Sequence, residues 1–506
     1  MVVTLATFME VLDTSIANVS LPHIAGSLSV SQDESTWVLT SYLVSNAIVL
    51  PVSGWFATRF GRKRFYMTCV ALFTLSSFLC GIAPNLETLV FFRVLQGLGG
   101  GGLGPSEQAI LADTFPPRKR GMAFAVYGMA VVLAPAIGPT LGGYITDHFS
   151  WRWVFFINIP VGLTSLLLSH RVVVDPPHLV EARKHAGPID YVGFGLVALG
   201  LGTLEYVLDK GQEEDWFASR GIVAFSAVSA IALIAFVVWE WRQEHPVVEV
   251  RLFARRSFAA ANLMMLVLGV ALFGSTVLLP QYLQVWMGYS AQDAGMVLSP
   301  GGVTVILLLP LVGRLVSRHD PRWLIVFGFA LLSFSLFHMA HTLYPGIDFS
   351  TATWLRIYQS VGLAFLFVPI NTIVYAGVPP GKNNAVSGIV NLSRNMGGDV
   401  GISFVTTLIA RRSQFHQAAL TANLDAGNTV LGQQLAAMAR ALEHAGSTSV
   451  EAARQAYGMV YRQLLQQAQT LAYLDALFLL GCFTLAMIPL VFLTQRVQPG
   501  AAPMGH

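Results

Sequence analysis

Charged side chains are scarce in this 506-residue chain: they make up 11% of the sequence, while apolar residues make up 54%. A soluble protein of this length needs far more charge to cover its surface, so an ordinary water-soluble fold is excluded. The net charge is only +3, and the cations lie in short clusters between apolar runs, which argues against a nucleic-acid partner. The mean hydropathy of +0.61 instead indicates a chain surrounded by lipid.

Nucleotide and metal chemistry also lack their usual residues. The three cysteines, Cys69, Cys80 and Cys482, lie far apart inside apolar runs and match no metal-ligand spacing, so we interpret them as packing residues. There is no Walker A sequence, since the segment 377–383 has the wrong spacing and lacks the Ser or Thr. The glycine run 97–102 formally fits a dinucleotide fingerprint, but no strand precedes it, and in a membrane helix it favours close packing. No cofactor and no metal site is predicted.

Long apolar runs recur along the whole chain. About 20 such residues cross a bilayer as a helix, and the backbone cannot stay unpaired in lipid, so helices are predicted throughout. Fourteen spans are predicted, near 2–22, 37–57, 66–83, 88–111, 121–146, 153–172, 190–208, 220–240, 258–279, 295–316, 322–343, 354–376, 386–410 and 470–494. The first is not interpreted as a signal peptide, because it has no basic region and Glu10 and Asp13 interrupt its apolar core.

The distribution of Lys and Arg predicts the orientation. With the N-terminus in the cytoplasm, inside loops hold about nineteen cations and outside loops about eight. Both termini are then cytoplasmic, in a bacterial inner membrane. The longest loop, 411–469, is rich in helix-favouring Ala, Gln, Leu and Arg, so it is predicted to be a periplasmic helical hairpin. This hairpin is interpreted either as a solvated cap or as a docking surface for a partner.

Two parts of the chain repeat each other at matched spacing. Leu21-Pro22, 31–33 and 50–54, ending in Arg59, correspond to Leu279-Pro280, 291–293 and 309–313, ending in Arg318. Such parallel repeats are typical of transporters that rock two halves around a central site. We therefore expect an all-α integral membrane protein with 6+2+6 helices. Its predicted parts are a six-helix half (1–172), two extra helices with linkers (173–257), and a second six-helix half (258–506) that includes the loop 411–469.

Ionisable residues inside the spans are the candidates for proton coupling. A buried Arg near mid-membrane costs roughly 2.5–3.5 kcal/mol on insertion scales, so Arg93 is expected to have a partner. Its depth matches that of Asp13, which suggests an ion pair of either functional or purely structural role. The remaining candidates are Glu10, which shares a helix face with Asp13, then Glu107, then Asp399 with Arg394 about a turn and a half away. Glu205 is instead expected near a helix end, at the membrane interface.

Two glycine- and proline-rich motifs are candidates for conformational change. The loop 54–64 contains Gly54, Arg59, Gly61, Arg62 and Arg64, and its glycines permit a tight turn and close helix approach. The simpler interpretation of its cations is a positive-inside anchor. The second motif, 134–143, contains Pro135, Gly138, Pro139, Gly142 and Gly143. Prolines remove backbone hydrogen bonds and glycines thin a helix, so this motif predicts a kink that serves either packing or a hinge.

Polar residues within the spans suggest the lining of a substrate cavity for small lipophilic compounds. The candidates are Asn18, Gln108, Gln281, Tyr282, Gln284, Asn371 and Tyr375. Each of them could instead satisfy a hydrogen bond between helices.

These motifs occur in the order found in a known family. The segments 12–22, 54–64, 93–100, 134–143, 150–153 and 279–284 resemble the fourteen-helix EmrB/QacA-type branch of the drug:proton antiporters, in the major facilitator superfamily. Thr58 departs from that pattern, where an Asp is usual, and Ala134 replaces a Gly. Family members usually carry a short cytoplasmic lead before the first span, so a trimmed or misassigned start is expected here.

The resemblance implies the major facilitator fold and export of lipophilic or cationic toxic compounds in exchange for protons. It implies that Asp13 and Arg93 serve coupling, and that Pro135, Gly138 and Pro139 form the hinge. It also implies a periplasmic adaptor (a membrane fusion protein) and an outer-membrane channel as partners.

Two other functional classes remain to be compared with this one. A dedicated exporter or symporter of one metabolite, such as a siderophore or an organic acid, would keep the same fold. A membrane-embedded enzyme would need a cluster of nucleophile, base or metal ligands, and a receptor would need a sizeable soluble domain. The sequence contains neither, so no enzymatic activity is predicted.

Overall fold

The computed structural model describes residues 2–184, 189–376, 378, 381–422, 424 and 428–496, and within these ranges it contains helices and no strand. The first nine helices are α1 (Thr4–Leu28), α2 (Gln32–Ser35), α3 (Trp37–Phe60), α4 (Arg62–Ile82), α5 (Leu86–Gly100), α6 (Leu103–Thr114), α7 (Pro117–His148), α8 (Trp153–Phe156) and α9 (Asn158–Val172). Next come α10 (Pro177–Lys184), α11 (Tyr191–Lys210) and α12 (Arg220–Arg242), with short 3₁₀ turns at Trp216–Ala218 and Val250–Ala254. The last helices are α13 (Arg256–Gln281), α14 (Ala291–Arg318), α15 (Pro321–Thr342), α16 (Phe349–Val374), α17 (Asn383–Thr421), α18 (Thr429–His444), α19 (Ser449–Ala486) and α20 (Ile488–Val491).

The helices pack into two bundles and a flanking pair. In the first bundle α1 packs on α7, and α4 packs on α5 and α9; in the second, α13 packs on α17, and α16 packs on α14 and α15. The bundles meet mainly along two helix pairs, α3 with α17 and α7 with α14. The flanking pair, α11 and α12, packs through α11 against α3 and α17, so it lies beside one of these two seams.

Ten helices in the described residues are long and apolar enough to cross a membrane, or eleven if the bent helix α7 counts as one span. The predicted number of fourteen is therefore not confirmed, although the all-helical fold is. The span predicted at 88–111 is divided into α5 and α6, because the chain leaves the helix at Gly101 and Gly102. The loop 411–469 is helical as predicted, through the end of α17, α18 and the start of α19.

Prolines and glycines shape α7 and the helix that it packs against. The segments on either side of residue 136 in α7 are inclined by 41°, so the predicted kink is present. A Cβ atom at Gly138 would lie 2.2 Å from the Ser15 hydroxyl oxygen, and one at Gly142 would lie 3.2 Å from the Cα atom of Ile16. These two glycines therefore allow α1 and α7 to approach closely, whereas Gly143 faces open space.

Candidate transport site

Asp13 and Arg93 form a fully buried ion pair inside the first bundle. Their side chains are 1% and 0% exposed, and Arg93 Nη1 lies 2.6 Å from Asp13 Oδ2. The other carboxylate oxygen, Oδ1, accepts hydrogen bonds from Gln96 Nε2 at 3.0 Å and from Asn158 Nδ2 at 2.6 Å. The pair predicted from depth along α1 and α5 is thus present, and two amides complete the carboxylate's coordination. A buried charge is tolerated when it is paired and hydrogen-bonded in this way.

The arginine is held on its other side by α3 and α8. Arg93 Nε donates to the carbonyl of Val38 at 2.9 Å, and the guanidinium lies 4.3 Å from the ring centre of Tyr42. The amide of Asn46 donates to the Tyr42 hydroxyl at 3.4 Å and to Glu10 Oε1 at 3.1 Å. Glu10 and Asp13 therefore belong to separate networks that Tyr42 and Asn46 connect.

Sequence reasoning missed Asn158 and Tyr42. Asn158 begins α9, and it also donates to Ser77 on α4 at 3.0 Å, so it ties α4 and α9 to Asp13 of α1. Tyr42 lies on α3, one turn before Asn46. Polar residues on separate helices carry no signal for a shared site until the packing brings them together. The only available signal was that each lies in an apolar run, where a polar group needs a partner.

A second polar network joins the two bundles at their centre. Tyr127 of α7 donates to Asn391 Oδ1 of α17 at 3.2 Å, and Asn391 Nδ2 donates to Gln108 Oε1 of α6 at 3.0 Å. Arg394 Nη1 donates to the Tyr127 hydroxyl at 3.3 Å, and Arg394 is also within electrostatic reach of Glu10. The network therefore links the bundles through hydrogen bonds that must break if the bundles rock apart here.

The seven predicted cavity residues do not line one space. Gln108, Asn371 and Tyr375 are buried, and the Tyr375 hydroxyl approaches Gln108 Oε1 at 3.5 Å. Tyr282 is buried against α19, where its hydroxyl lies 3.2 Å from the Thr470 hydroxyl. The remaining three candidates are exposed: Asn18, Gln281 and Gln284. The structure therefore brings Gln108 and Tyr375 together and places the other candidates elsewhere, so a shared lining of all seven stays a prediction.

Glu107 is completely buried and lacks any strong partner. It lies on α6 facing Thr4 and Thr7 of α1. Within the part of the chain that the structure describes, neither of its carboxyl oxygens has a hydrogen-bond partner. The site therefore holds a fully buried acid that the hydroxyl groups of Thr4 and Thr7 face.

Asp399 contacts an acid instead of the expected cation. Its carboxyl group lies near that of Glu205 on α11, which is 2% exposed, whereas Arg394 donates to the Tyr127 hydroxyl. Arg394, a turn and a half away along α17, is therefore directed to Tyr127, and Glu205, expected near a helix end, is buried beside Asp399. Two carboxyl groups can share a hydrogen bond only when one of them carries a proton, because two carboxylates would repel each other.

The shared proton gives a spectroscopic prediction. We expect the Glu205→Gln/Asp399→Asn double variant to lack a protonated-carboxyl band that infrared spectroscopy detects in the wild type at neutral pH. Asp147→Asn, which changes an exposed acid, should leave that band in place. An unchanged band in the double variant would show that the two acids do not hold a proton between them.

The loop motif connects the two bundles at one end of the molecule. Arg62 Nη2 lies 2.5 Å from Asp113 Oδ2, and Asn383 at the start of α17 donates to Asp113 Oδ1 at 2.5 Å. Thr58 accepts a 3.4 Å hydrogen bond from the Asn384 amide. Asp113 thus receives a donor from each bundle, although the usual motif acid is replaced by Thr58.

The other residues of this motif have distinct positions. Gly54 of α3 packs directly on the α17 backbone, since a Cβ atom there would lie 2.6 Å from the Asn384 carbonyl oxygen. Gly61 adopts a φ of +91°, which favours glycine. Arg59 is half-buried and Arg64 is exposed. The motif therefore combines a close helix contact, a strained turn and a buried ion pair.

Two bundles joined by buried polar networks, in a chain with at least ten apolar helices, define a multi-pass membrane transporter. The chain belongs to the Major Facilitator Superfamily, whose family model matches residues 3–402. It is 36% identical over 492 residues to multidrug export protein EmrB of Escherichia coli (strain K12), covering 97% of this chain and 94% of the relative. It is also 36% identical over 494 residues to fatty acid resistance protein FarB of Neisseria gonorrhoeae, with the same two coverages.

Solved structures agree on the fold. The structure of the proton:xylose symporter XylE, bound to a bromodeoxyglucose, matches 82% of this chain and 88% of its own, with a TM-score of 0.57. The sequence identity is 16%, so this likeness shows the fold alone.

Proposed function

We propose that this chain is a proton-driven exporter of small lipophilic toxic compounds, in which the Asp13–Arg93 pair couples proton movement to conformational change. The observation that carries the proposal is that a fully buried carboxylate and guanidinium, 2.6 Å apart, join α1 to α5 inside the first bundle. Relatives named for multidrug export and for fatty acid resistance support export as the direction of transport.

The coupling step follows from the geometry of the pair. A proton on Asp13 removes its negative charge, and Arg93 keeps the Gln96 side chain, the Val38 carbonyl and the rings of Tyr42 and Phe155 as partners. The attraction between α1 and α5 weakens, and the bundle can change shape until the proton leaves on the other side. Glu10, Glu107 and Asp399, with Glu205, are further proton-carrying groups.

The contacts between bundles suggest how access alternates. The end that carries Gly54 is closed by α3 against α17, and by Gly121 of α7 against Gly313 of α14, where a Cβ atom would lie 2.9 Å from the opposing carbonyl oxygen. With the predicted orientation, this is a state closed to the cytoplasm. The bend in α7, at Pro135, Gly138 and Pro139, serves as the hinge.

The experiment that tests the function uses proteoliposomes loaded with a fluorescent lipophilic cation under an imposed pH gradient. Wild-type protein should transport the dye in exchange for protons that move down the imposed pH gradient. Asp13→Asn should lose this transport while still binding the dye. Asp147→Asn, an exposed acid, serves as the control. Transport that ignores the gradient in the wild type, or that survives in Asp13→Asn, would contradict the proposal.

The cellular setting follows as part of the same proposal. The chain lies in the bacterial inner membrane with both termini in the cytoplasm, and we propose the same division into 1–172, 173–257 and 258–506 that the sequence suggests. The helical segment formed by the end of α17, α18 and the start of α19 then projects into the periplasm, where a membrane fusion protein docks and leads to an outer-membrane channel.

A further inference from the structure

A cavity between the two bundles contains a buried cation that the coupling mechanism does not use. Its walls come from α7, α13, α14 and α16. Most of the lining is apolar, as at Val131, Leu272 and Leu363. The exception is Arg356 of α16, which lines the cavity and is only 7% exposed.

The polar groups around Arg356 form a site rich in donors. Arg356 Nη1 donates to Gln359 Oε1 at 2.7 Å, and Nη2 donates weakly to the Thr276 hydroxyl at 3.4 Å. Within the described ranges, three donor groups here have no hydrogen-bond partner: Arg356 Nε, Gln359 Nε2 and the Ser360 hydroxyl. Among the described residues no carboxylate forms an ion pair with Arg356. Unpaired buried donors are costly, so this arrangement indicates a missing acceptor.

The internal repeat shows where a counter-ion is lacking. Arg93 and Gln96 in α5 have the same spacing as Arg356 and Gln359 in α16, and in both cases the arginine donates to the glutamine. The alignment of Leu21-Pro22 with Leu279-Pro280 places Ala271 at the position of Asp13. The first bundle therefore supplies its arginine with an acid, whereas the second does not.

The same repeat accounts for the empty space. The matches of 31–33 with 291–293 and of 50–54 with 309–313 place Gly301 or Gly302 at the position of Tyr42. The Tyr42 ring packs on Arg93 in the first bundle, but Gly302 lines the cavity in the second. Loss of both an acid and an aromatic ring leaves a cation beside an apolar space.

We propose that Arg356, with Gln359 and Ser360, binds the carboxylate of a lipophilic acid whose apolar body lies against the apolar lining of this cavity. The proposal rests on the proposed export function and names lipophilic acids as one of its substrate classes. A guanidinium presents a planar fork of donors that matches a carboxylate, and the low-polarity surroundings strengthen that interaction. The ligand thereby takes the place that Asp13 and Tyr42 occupy around Arg93.

Three probes with the same ten-carbon chain separate charge recognition from apolar partitioning. Radiolabelled decanoate, decanol and decyltrimethylammonium are bound to purified protein in phosphatidylcholine nanodiscs at pH 7.5, and binding to empty nanodiscs is subtracted. We expect Arg356→Gln to weaken decanoate binding roughly ten- to hundred-fold, the range for losing a hydrogen bond to a charged group. Decanol and decyltrimethylammonium should change less than about two-fold.

Two further variants keep the test decisive. Arg356→Lys retains the charge without the planar fork, so it should preserve the preference for decanoate over decyltrimethylammonium even if Arg356→Gln folds poorly. Gly302→Leu fills the cavity and should weaken all three probes. The inference is overturned if wild-type protein does not bind decanoate, if Arg356→Gln leaves decanoate binding unchanged, or if it weakens all three probes equally.

The two proposals can fail separately. If the dye is transported in response to the pH gradient but decanoate does not bind, the carboxylate site is contradicted and the exporter proposal stands. If decanoate binding depends on Arg356 but transport does not respond to the pH gradient, proton coupling is contradicted and the carboxylate site stands.

Discussion

Arg93→Met is expected to destabilise the protein more on its own than in combination with Asp13→Leu. Removing the arginine alone leaves the Asp13 carboxylate buried, with only two amides to replace the cation that neutralised it. Breaking a buried ion pair in this way costs about 3–5 kcal/mol, whereas replacing both partners by apolar groups is often nearly neutral. Thermal unfolding of the four proteins in detergent, wild type, two single variants and the double variant, measures this difference.

The comparison needs an exposed pair as its control. Lys382 and Glu249 lie 2.9 Å apart with 42% and 24% of their side chains exposed, so Lys382→Met should cost no more than about 1 kcal/mol. Proton-coupled transport should be absent from all three Asp13 and Arg93 variants, because the double variant restores packing but not a titratable group. A double variant as unstable as Arg93→Met would show that the two side chains are not energetically coupled.

The sequence predicted the fold well because lipid imposes one solution on long apolar runs. Backbone groups must pair within each span, so helix positions follow from hydropathy alone. The exact number of spans does not follow in the same way. Three predicted spans are not among the helices that are long and apolar enough to cross a membrane. Glycines divide one of them into α5 and α6, and polar side chains lower the hydropathy of the other two, α1 and α17.

The ion pair could be predicted, while most of its surroundings could not. Asp13 and Arg93 are costly residues of opposite charge at similar depth, which is a signal within the sequence itself. Asn158, Tyr42 and Glu205 became part of a site only through the packing of α9, α3 and α11. Their neighbours in space are distant in the chain, and a single sequence has no record of that proximity.

The substrate lining was the least predictable part. Polarity within a span selects residues that need a partner, but it does not distinguish a helix contact from a cavity wall. Gln108 accepts a hydrogen bond from Asn391 across the interface, whereas Arg356, which was not selected, lines a cavity between the bundles. The informative feature at that site is a group without a partner, and only a structure can reveal one.

Gly54→Ala is expected to prevent the two bundles from closing at the end that carries the loop motif. The added Cβ atom would lie 2.6 Å from the Asn384 carbonyl oxygen and 2.9 Å from the Ala385 Cα atom. Both are backbone atoms, so no side-chain rotation relieves the clash and α3 must move away from α17. Overpacking of this kind costs about 1–3 kcal/mol, which shifts the closed population roughly five- to hundred-fold.

Spin labels at Lys119→Cys in α7 and at His319→Cys after α14 measure the separation of the bundles at this end, since both positions are exposed. The distance between the labels should increase in Gly54→Ala, and transport should fall because the cycle cannot pass through the closed state. Gly26→Ala is the matched control: it lies in α1 with nothing within 4 Å of the added Cβ atom, so distance and transport should stay as in the wild type. An unchanged distance in Gly54→Ala would mean that the α3–α17 contact does not set the closed state, and that Asp113, which binds both Arg62 and Asn383, must hold it instead.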